Sequence, residues 1–120
     1  MYIRFQGKRN NDSSSSKLGI FQLAYELRDN EDTPKYAHDE IQNILSWLDD
    51  NMEAPEILDD GKHHRAILWF KAEAKKQIDK IRAMKAILEE FGYHIDQITT
   101  KEPGLIIYED DCQIVAKPKK

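Results

Sequence analysis

A short apolar strand at residues 66–70, which runs directly into a long amphipathic helix, constrains the fold of this chain most strongly. Because successive side chains of a strand point to opposite faces of a sheet, a strand that is apolar throughout is predicted to be central and covered on both faces. In the helix, apolar residues recur at steps of three and four, which predicts one buried face. They are Ala74, Ile78, Ile81, Met84, Leu88 and Phe91. We expect this face, through Ile81, to share one core with Trp69.

Two further helices and four further strands are predicted from the same kinds of pattern. The helices cover residues 18–27 and 33–50, and the second begins at Thr33-Pro34, a pair that suits a helix start. The strands cover residues 1–5, 93–99, 105–109 and 112–116. The last two flank Asp110-Asp111, which predicts a C-terminal β-hairpin. Since a strand, a helix and a strand in succession normally form a parallel pair, we expect residues 66–70 and 93–99 to be parallel neighbours.

These elements predict a single α+β domain of two layers, in which three helices lie mainly on one face of a mixed sheet of four to five strands. The 120 residues are enough for one hydrophobic core and too few for two. Residues 1–5 are expected near an edge of the sheet. Residues 7–16 contain no apolar anchor, so we predict that they form a flexible loop.

Composition narrows the class of protein. The apolar fraction of 40% and the charged fraction of 33% are typical of a globular protein. The longest apolar run is five residues, too short to cross a bilayer, and the first residues lack the apolar centre of a signal peptide, so we expect a cytoplasmic protein without a membrane partner. The pI near 5.5 argues against nucleic-acid binding. The lone Cys112 can form no internal disulfide, and we expect it in the core.

Four stretches of the chain resemble a group of small uncharacterised bacterial proteins. They are Met-Tyr-Ile-Arg-Phe at the start, Trp69-Phe70-Lys71, Pro-Gly-Leu-Ile-Ile-Tyr-Glu-Asp at residues 103–110 and Gln-Ile-Val-Ala at residues 113–116. The resemblance covers roughly the second half of the chain and part of the first strand. It implies a bacterial cytoplasmic origin, and it assigns no catalytic or binding role to any residue.

Charge is distributed unevenly along the chain. Residues 28–60 contain eleven acidic and two basic residues, whereas residues 61–87 contain eight basic and two acidic residues. Segments of opposite sign can steer a charged partner, or they can lie side by side and neutralise each other. We take the basic segment as the first candidate surface and the acidic segment as the second.

Lysines at the start of the central helix carry the site prediction. Lys75 and Lys76 fall in or near the first turn, where the helix dipole is already positive, and each such placement typically costs about 0.3–1 kcal/mol if exposed. Together with Lys71 they mark a place where an anion or an acidic partner could dock. The alternative is that they are solvated side chains without a ligand. No glycine-rich phosphate loop accompanies them.

The residues before the central strand add a second basic cluster. Adjacent histidines in an extended chain point to opposite sides, and no His-Glu-x-x-His pattern is present, so no metal site is predicted. The alternative is that these residues form a solvated loop without a binding role. We nevertheless group His63, His64 and Arg65 with the three lysines as candidate residues for binding an anion or a partner.

No catalytic residue and no cofactor is predicted. The paired acids fall at predicted helix ends and turns, where aspartate is favoured for local hydrogen bonding. They are Asp49-Asp50, Asp59-Asp60 and Asp110-Asp111. The sequence favours a non-enzymatic interaction or regulatory module that binds another protein. The alternative is a small enzyme or an anion-binding domain, with its site between the start of the central helix and His63-His64.

Overall fold

A computed structural model describes residues 1–10, 17–55 and 65–119 as three helices and six strands. The helices are α1 (Ile20–Asp29), α2 (Lys35–Asn51) and α3 (Lys75–Glu90). The strands are β1 (Tyr2–Arg9), β2 (Leu18–Gly19), β3 (Ile67–Lys71), β4 (Tyr93–Thr100), β5 (Leu105–Glu109) and β6 (Gln113–Lys117). The α+β class, the three helices and the C-terminal hairpin are confirmed. The radius of gyration, 14.3 Å, is close to the roughly 14 Å expected of a compact domain of this length.

Every strand pairing in the described part of the chain is antiparallel, so the prediction of a mixed sheet is wrong. The strands lie in the order β4, β1, β3, β6, β5, and β2 pairs with β1 on the same side as β3. β3 and β4 do run in the same direction, because both are antiparallel to β1. They are not neighbours, however, because β1 lies between them. β1 is therefore an internal strand next to the edge strand β4, which agrees with its predicted place near an edge, and β3 is central as predicted.

β1 is longer than predicted and continues through Gly7 to Arg9. The predicted loop at residues 7–16 is therefore wrong for residues 7–9, and residues 11–16 lie outside the described residues. Gly7 faces Ile95 across the β1–β4 pair, and a Cβ atom at Gly7 would collide with the backbone carbonyl oxygen of His94. The glycine that looked like a loop residue is instead required by the close approach of two strands.

The helices cover one face of the sheet, and a smaller apolar cluster lies on the other. Phe70 of β3 points toward the helices and belongs to the main core together with Ile81, which has no exposed surface. Trp69 points to the opposite face, where it packs with Ile114 and Ala116. The expectation that Trp69 and Ile81 share a core is therefore wrong. The reason is the alternation of side chains along a strand, which sends neighbouring residues to opposite faces.

Helix α2 begins at Lys35, one residue after Pro34, which was the predicted first helical position after a Thr33 cap. The Thr33 hydroxyl does not cap this helix. It donates a hydrogen bond of 2.6 Å to the carbonyl oxygen of Leu27 in the last turn of α1. Thr33 therefore satisfies the end of one helix, and Pro34 stands at the start of the next without a side-chain cap.

The end of α2 and the start of α3 meet. In the first turn of α3, Gln77 Nε2 donates a hydrogen bond of 3.2 Å to the carbonyl oxygen of Asn51, the last residue of α2. The acidic last turn of α2, with Asp49 and Asp50, thus lies beside the basic first turn of α3. At this point the structure brings together the two segments of opposite charge.

Candidate functional site

The structure separates the candidate binding residues predicted from the sequence. Arg65 precedes β3 and Lys71 ends it, and the five strand residues span about 16 Å, so one small ligand cannot reach both ends. His63 and His64 lie outside the described residues. Lys71 Nζ forms an ion pair of 2.6 Å with Glu109 Oε2, and this hydrogen bond raises the pKa of Lys71. The charge of Lys71 is therefore already matched by a neighbour.

Lys75 and Lys76 occupy the first turn of α3, as predicted, and both are exposed. Ala74, the residue before them, offers no side-chain cap. Neither lysine forms an ion pair with another described residue. Their role in binding an anion or an acidic partner stays a prediction.

Acidic side chains from two distant segments line a different site. Asp49, Asp50 and Glu53 come from the end of α2 and the residues after it, whereas Asp110 and Asp111 come from the turn between β5 and β6. They line a cleft of about 540 Å³, and no basic side chain is among the described residues that line it. We call this site the acidic cleft.

Four hydrogen bonds hold the carboxylate of Asp110 in the hairpin turn. Its Oδ1 accepts from the backbone N–H groups of Cys112 at 2.8 Å and Gln113 at 3.1 Å. Its Oδ2 accepts from the Tyr108 hydroxyl at 2.6 Å and from Gln113 Nε2 at 3.0 Å. Burial alone would raise the pKa of Asp110, but these hydrogen bonds outweigh it and lower the pKa. Asp110 is therefore a fixed negative charge at neutral pH.

Cys112 lines the acidic cleft as a half-buried free thiol, so its predicted place in the core is wrong. Burial, together with the negative charges of Asp110 and Asp111, raises the pKa of this thiol. Because the thiolate is the reactive form of cysteine, Cys112 is a poor nucleophile at neutral pH.

An apolar pocket of about 320 Å³ adjoins the acidic cleft. Asp49, Met52, Glu53 and Ala54 line both, so the cleft and the pocket form one continuous surface. The remaining residues of the pocket come from α1, α2, β3, β6 and the connection after α2. They are Phe21, Tyr25, Leu48, Pro55, Leu68 and Gln113.

One wall of the apolar pocket contains a buried polar group that lacks a partner. Gln113 has no exposed surface, and its Nε2 donates to the carbonyl oxygen of Glu53 at 2.7 Å and to Asp110 Oδ2. These two acceptors fix the orientation of the amide, because the reversed amide would place oxygen against oxygen. Gln113 Oε1 consequently has no donor among the described residues. A buried acceptor without a partner costs about 1–3 kcal/mol. A ligand that donates to this oxygen would offset the cost, but it must first displace the side chains that cover the atom.

Sequence reasoning did not find this surface as a whole. The excess of acidic residues in residues 28–60 indicated one half of the acidic cleft. The other half, Asp110-Asp111, was interpreted as a local turn, and nothing in the sequence shows that the two halves meet. Gln113 is one polar residue in a predicted strand, and no sequence signal marks its unpaired oxygen.

Among the described residues, no group of three or more His, Cys, Asp or Glu side chains is arranged to hold a metal ion. The carboxylates of the acidic cleft therefore do not converge as metal ligands do. In the same part of the chain, no helix has the length and apolar character needed to span a membrane.

Comparison with models of known protein families, with curated proteins and with solved structures finds no match. The resemblance of residues 69–71, 103–110 and 113–116 to small bacterial proteins therefore stays a prediction.

Proposed function

We propose that this protein is a non-enzymatic interaction module that binds a basic segment of another protein at the acidic cleft and the adjoining apolar pocket. The observation that carries the proposal is the unpaired Oε1 of Gln113, a buried acceptor of a residue that lines the pocket. Among the described residues that line the cleft and the pocket, every charged one is acidic. A ligand with N–H donors and a positive charge complements both features.

Electrostatics favours a basic partner over an acidic one. Five carboxylates of the described residues line the acidic cleft. Lys71, whose pKa is raised in part by the charge of Asp111, is already paired with Glu109. Surface charges act over about 8 Å at physiological ionic strength, so clustered carboxylates act together on an approaching cation. Such complementarity mainly raises the rate of association and selects the partner.

The chemistry of the cleft favours binding over catalysis. A general base needs a pKa near the working pH, whereas the pKa of Asp110 is lowered and its carboxylate is already held by four hydrogen bonds. The thiol of Cys112 is protonated at neutral pH because burial and the nearby negative charges raise its pKa. The combination of apolar and acidic surface instead fits a peptide whose side chains are partly apolar and partly basic.

Binding of a fluorescent peptide of alternating glycine and lysine, measured by anisotropy at low and at physiological ionic strength, tests the proposal. The test variant neutralises the exposed acids of the cleft through Asp49→Asn, Asp50→Asn, Glu53→Gln and Asp111→Asn. It should bind the peptide about tenfold more weakly or worse, and with a smaller dependence on salt.

A matched control removes the same number of charges elsewhere. Its substitutions are Glu31→Gln, Glu40→Gln, Asp79→Asn and Glu102→Gln, at exposed residues that line neither the cleft nor the pocket. The control should keep the affinity of the parent protein. If both variants lose affinity equally, the net charge of the protein rather than the cleft attracts the peptide, and the proposal is wrong.

A further inference from the structure

We infer that the apolar pocket binds the guanidinium group of an arginine side chain from the partner. The inference rests on the proposed function and names the side chain that the surface selects. The pocket volume of about 320 Å³ is at the small end of the range for ligand sites, which suits one long side chain better than a cofactor.

The hydrogen-bonding groups of the pocket match a guanidinium. This group is planar and carries five N–H donors, so it can donate to Gln113 Oε1 and to a carboxylate at the same time. The carboxylates of Asp49 and Glu53 line the same pocket. A lysine ammonium is a compact and strongly hydrated charge, and it loses more hydration in a pocket whose walls are largely apolar.

The apolar walls match the rest of an arginine side chain. Leu48, Met52 and Leu68 can contact the methylene stem, as apolar surfaces commonly do with long basic side chains. Tyr25 offers an aromatic ring, on which a guanidinium stacks favourably. Within this chain, the guanidinium carbon of Arg28 already lies 5.0 Å from the centroid of the Tyr25 ring. Arg28 is held by Asp29 and does not line the pocket.

Small probes test the pocket without a peptide. Butylguanidinium carries the charge and the donors, butylurea has a similar shape without the charge, and butylammonium has the charge without the planar donors. In NMR titrations, butylguanidinium should shift the side-chain amide of Gln113 and the methyl group of Met52. It should bind at least about tenfold more tightly than either of the other probes. Equal binding of the three probes, or shifts confined to the acidic cleft, would overturn the inference.

A blocking variant tests the pocket in the protein without a change in charge. Ala54 is exposed and lines the pocket, so Ala54→Trp should fill it and leave the core unchanged. Ala83→Trp, at an exposed position of α3 that does not line the pocket, is the matched control. Gln113→Met removes the unpaired acceptor itself. Because Gln113 is fully buried, binding by this variant is compared with the parent protein once cooperative thermal unfolding shows that it is folded.

Two peptides separate this inference from the proposed function. One alternates glycine with arginine and the other glycine with lysine. The arginine peptide should bind the parent protein about tenfold more tightly than the lysine peptide, and Ala54→Trp alone should abolish this difference. If the two peptides bind equally and both depend on the acidic cleft, the proposed function stands and the arginine pocket is wrong. If butylguanidinium binds the pocket but neither peptide binds, the pocket stands and the proposed function is wrong.

Discussion

Gln113 and Glu53, which are sixty residues apart in the chain, are joined by a hydrogen bond of 2.7 Å from the side-chain Nε2 of Gln113 to the backbone carbonyl of Glu53. The same Nε2 also reaches the carboxylate of Asp110. One side chain therefore ties the connection after α2 to the hairpin turn. This contact joins the two acidic segments, and Gln113, whose Oε1 is unpaired, also lines the apolar pocket.

Replacing Asp110 with asparagine should lower the pKa of Tyr108. In the parent protein, the hydrogen bond to the carboxylate is the largest of several causes, with burial and the charges of Asp110 and Glu53, that raise this pKa from 10.0 to about 12. Because the folded-state pKa is raised, the contact contributes stability that is fully present below pH 10 and is lost as the pH rises toward about 12. Ring resonances of Tyr108 followed against pH should titrate earlier in Asp110→Asn. The control Tyr36→Phe should leave them unchanged, and an unchanged titration in Asp110→Asn would show that the carboxylate is not the cause.

Gly7→Ala should destabilise the protein by about 1–3 kcal/mol, the usual cost of an added group in a closely packed place. A Cβ atom there would meet the backbone carbonyl of His94, which cannot move without disturbing the β1–β4 pairing. Gly19→Ala is the control, because nothing lies within 4 Å of its added Cβ atom. It should cost less than about 1 kcal/mol in urea unfolding experiments. Equal effects at the two glycines would argue against the close approach of β1 and β4.

Ile81→Ala should lower the free energy of unfolding by about 2–5 kcal/mol, as large-to-small changes in a core do. Ile81 has no exposed surface, and it packs among the helices and the sheet. The control is Leu105→Ala in β5, where the side chain is 64% exposed and the expected change is within about 0.5 kcal/mol. A loss below that limit for Ile81→Ala would show that the buried face of α3 has been assigned incorrectly.

Local patterns predicted the elements of this fold well. The apolar spacing from Ile78 to Leu88 specifies a helix with one buried side, and α3 buries that side. The uninterrupted apolar run of β3 predicts a central strand, and both faces of β3 are covered. The acidic pair before Cys112 predicts a turn, and Asp110 holds it by accepting hydrogen bonds from the backbone N–H groups of Cys112 and Gln113.

Pairing between distant segments could not be predicted from these patterns. Periodicity indicates which side of a strand is buried, but it does not name the neighbouring strand. β1 lies between β3 and β4, and its partners in both strands are more than sixty residues away in the chain. Gly7 allows the close approach of β1 to β4, although it lies in a stretch whose composition resembles a loop. The acidic cleft likewise depends on contacts between segments that are distant in the chain. Asp50 and Asp111 satisfy local rules for helix ends and turns, so only the tertiary structure shows that they share a surface.

Replacing Lys75 and Lys76 with glutamate tests the binding site that the sequence predicted. Glutamate suits the positive end of a helix dipole, so the fold should remain intact, and the free energy of unfolding should rise by about 0.3–1 kcal/mol for each exposed substitution. If the lysines bind an acidic partner, the variant should lose affinity for a peptide of alternating glycine and glutamate.

If the acidic cleft is the binding surface, the variant should bind the lysine peptide at least as tightly as the parent protein does. The start of α3 lies beside the end of α2, so the added negative charge strengthens the field around Asp49 and Asp50. Anisotropy measured with both peptides on both proteins therefore decides between the two surfaces, and weaker binding of the lysine peptide by the variant would count against the acidic cleft.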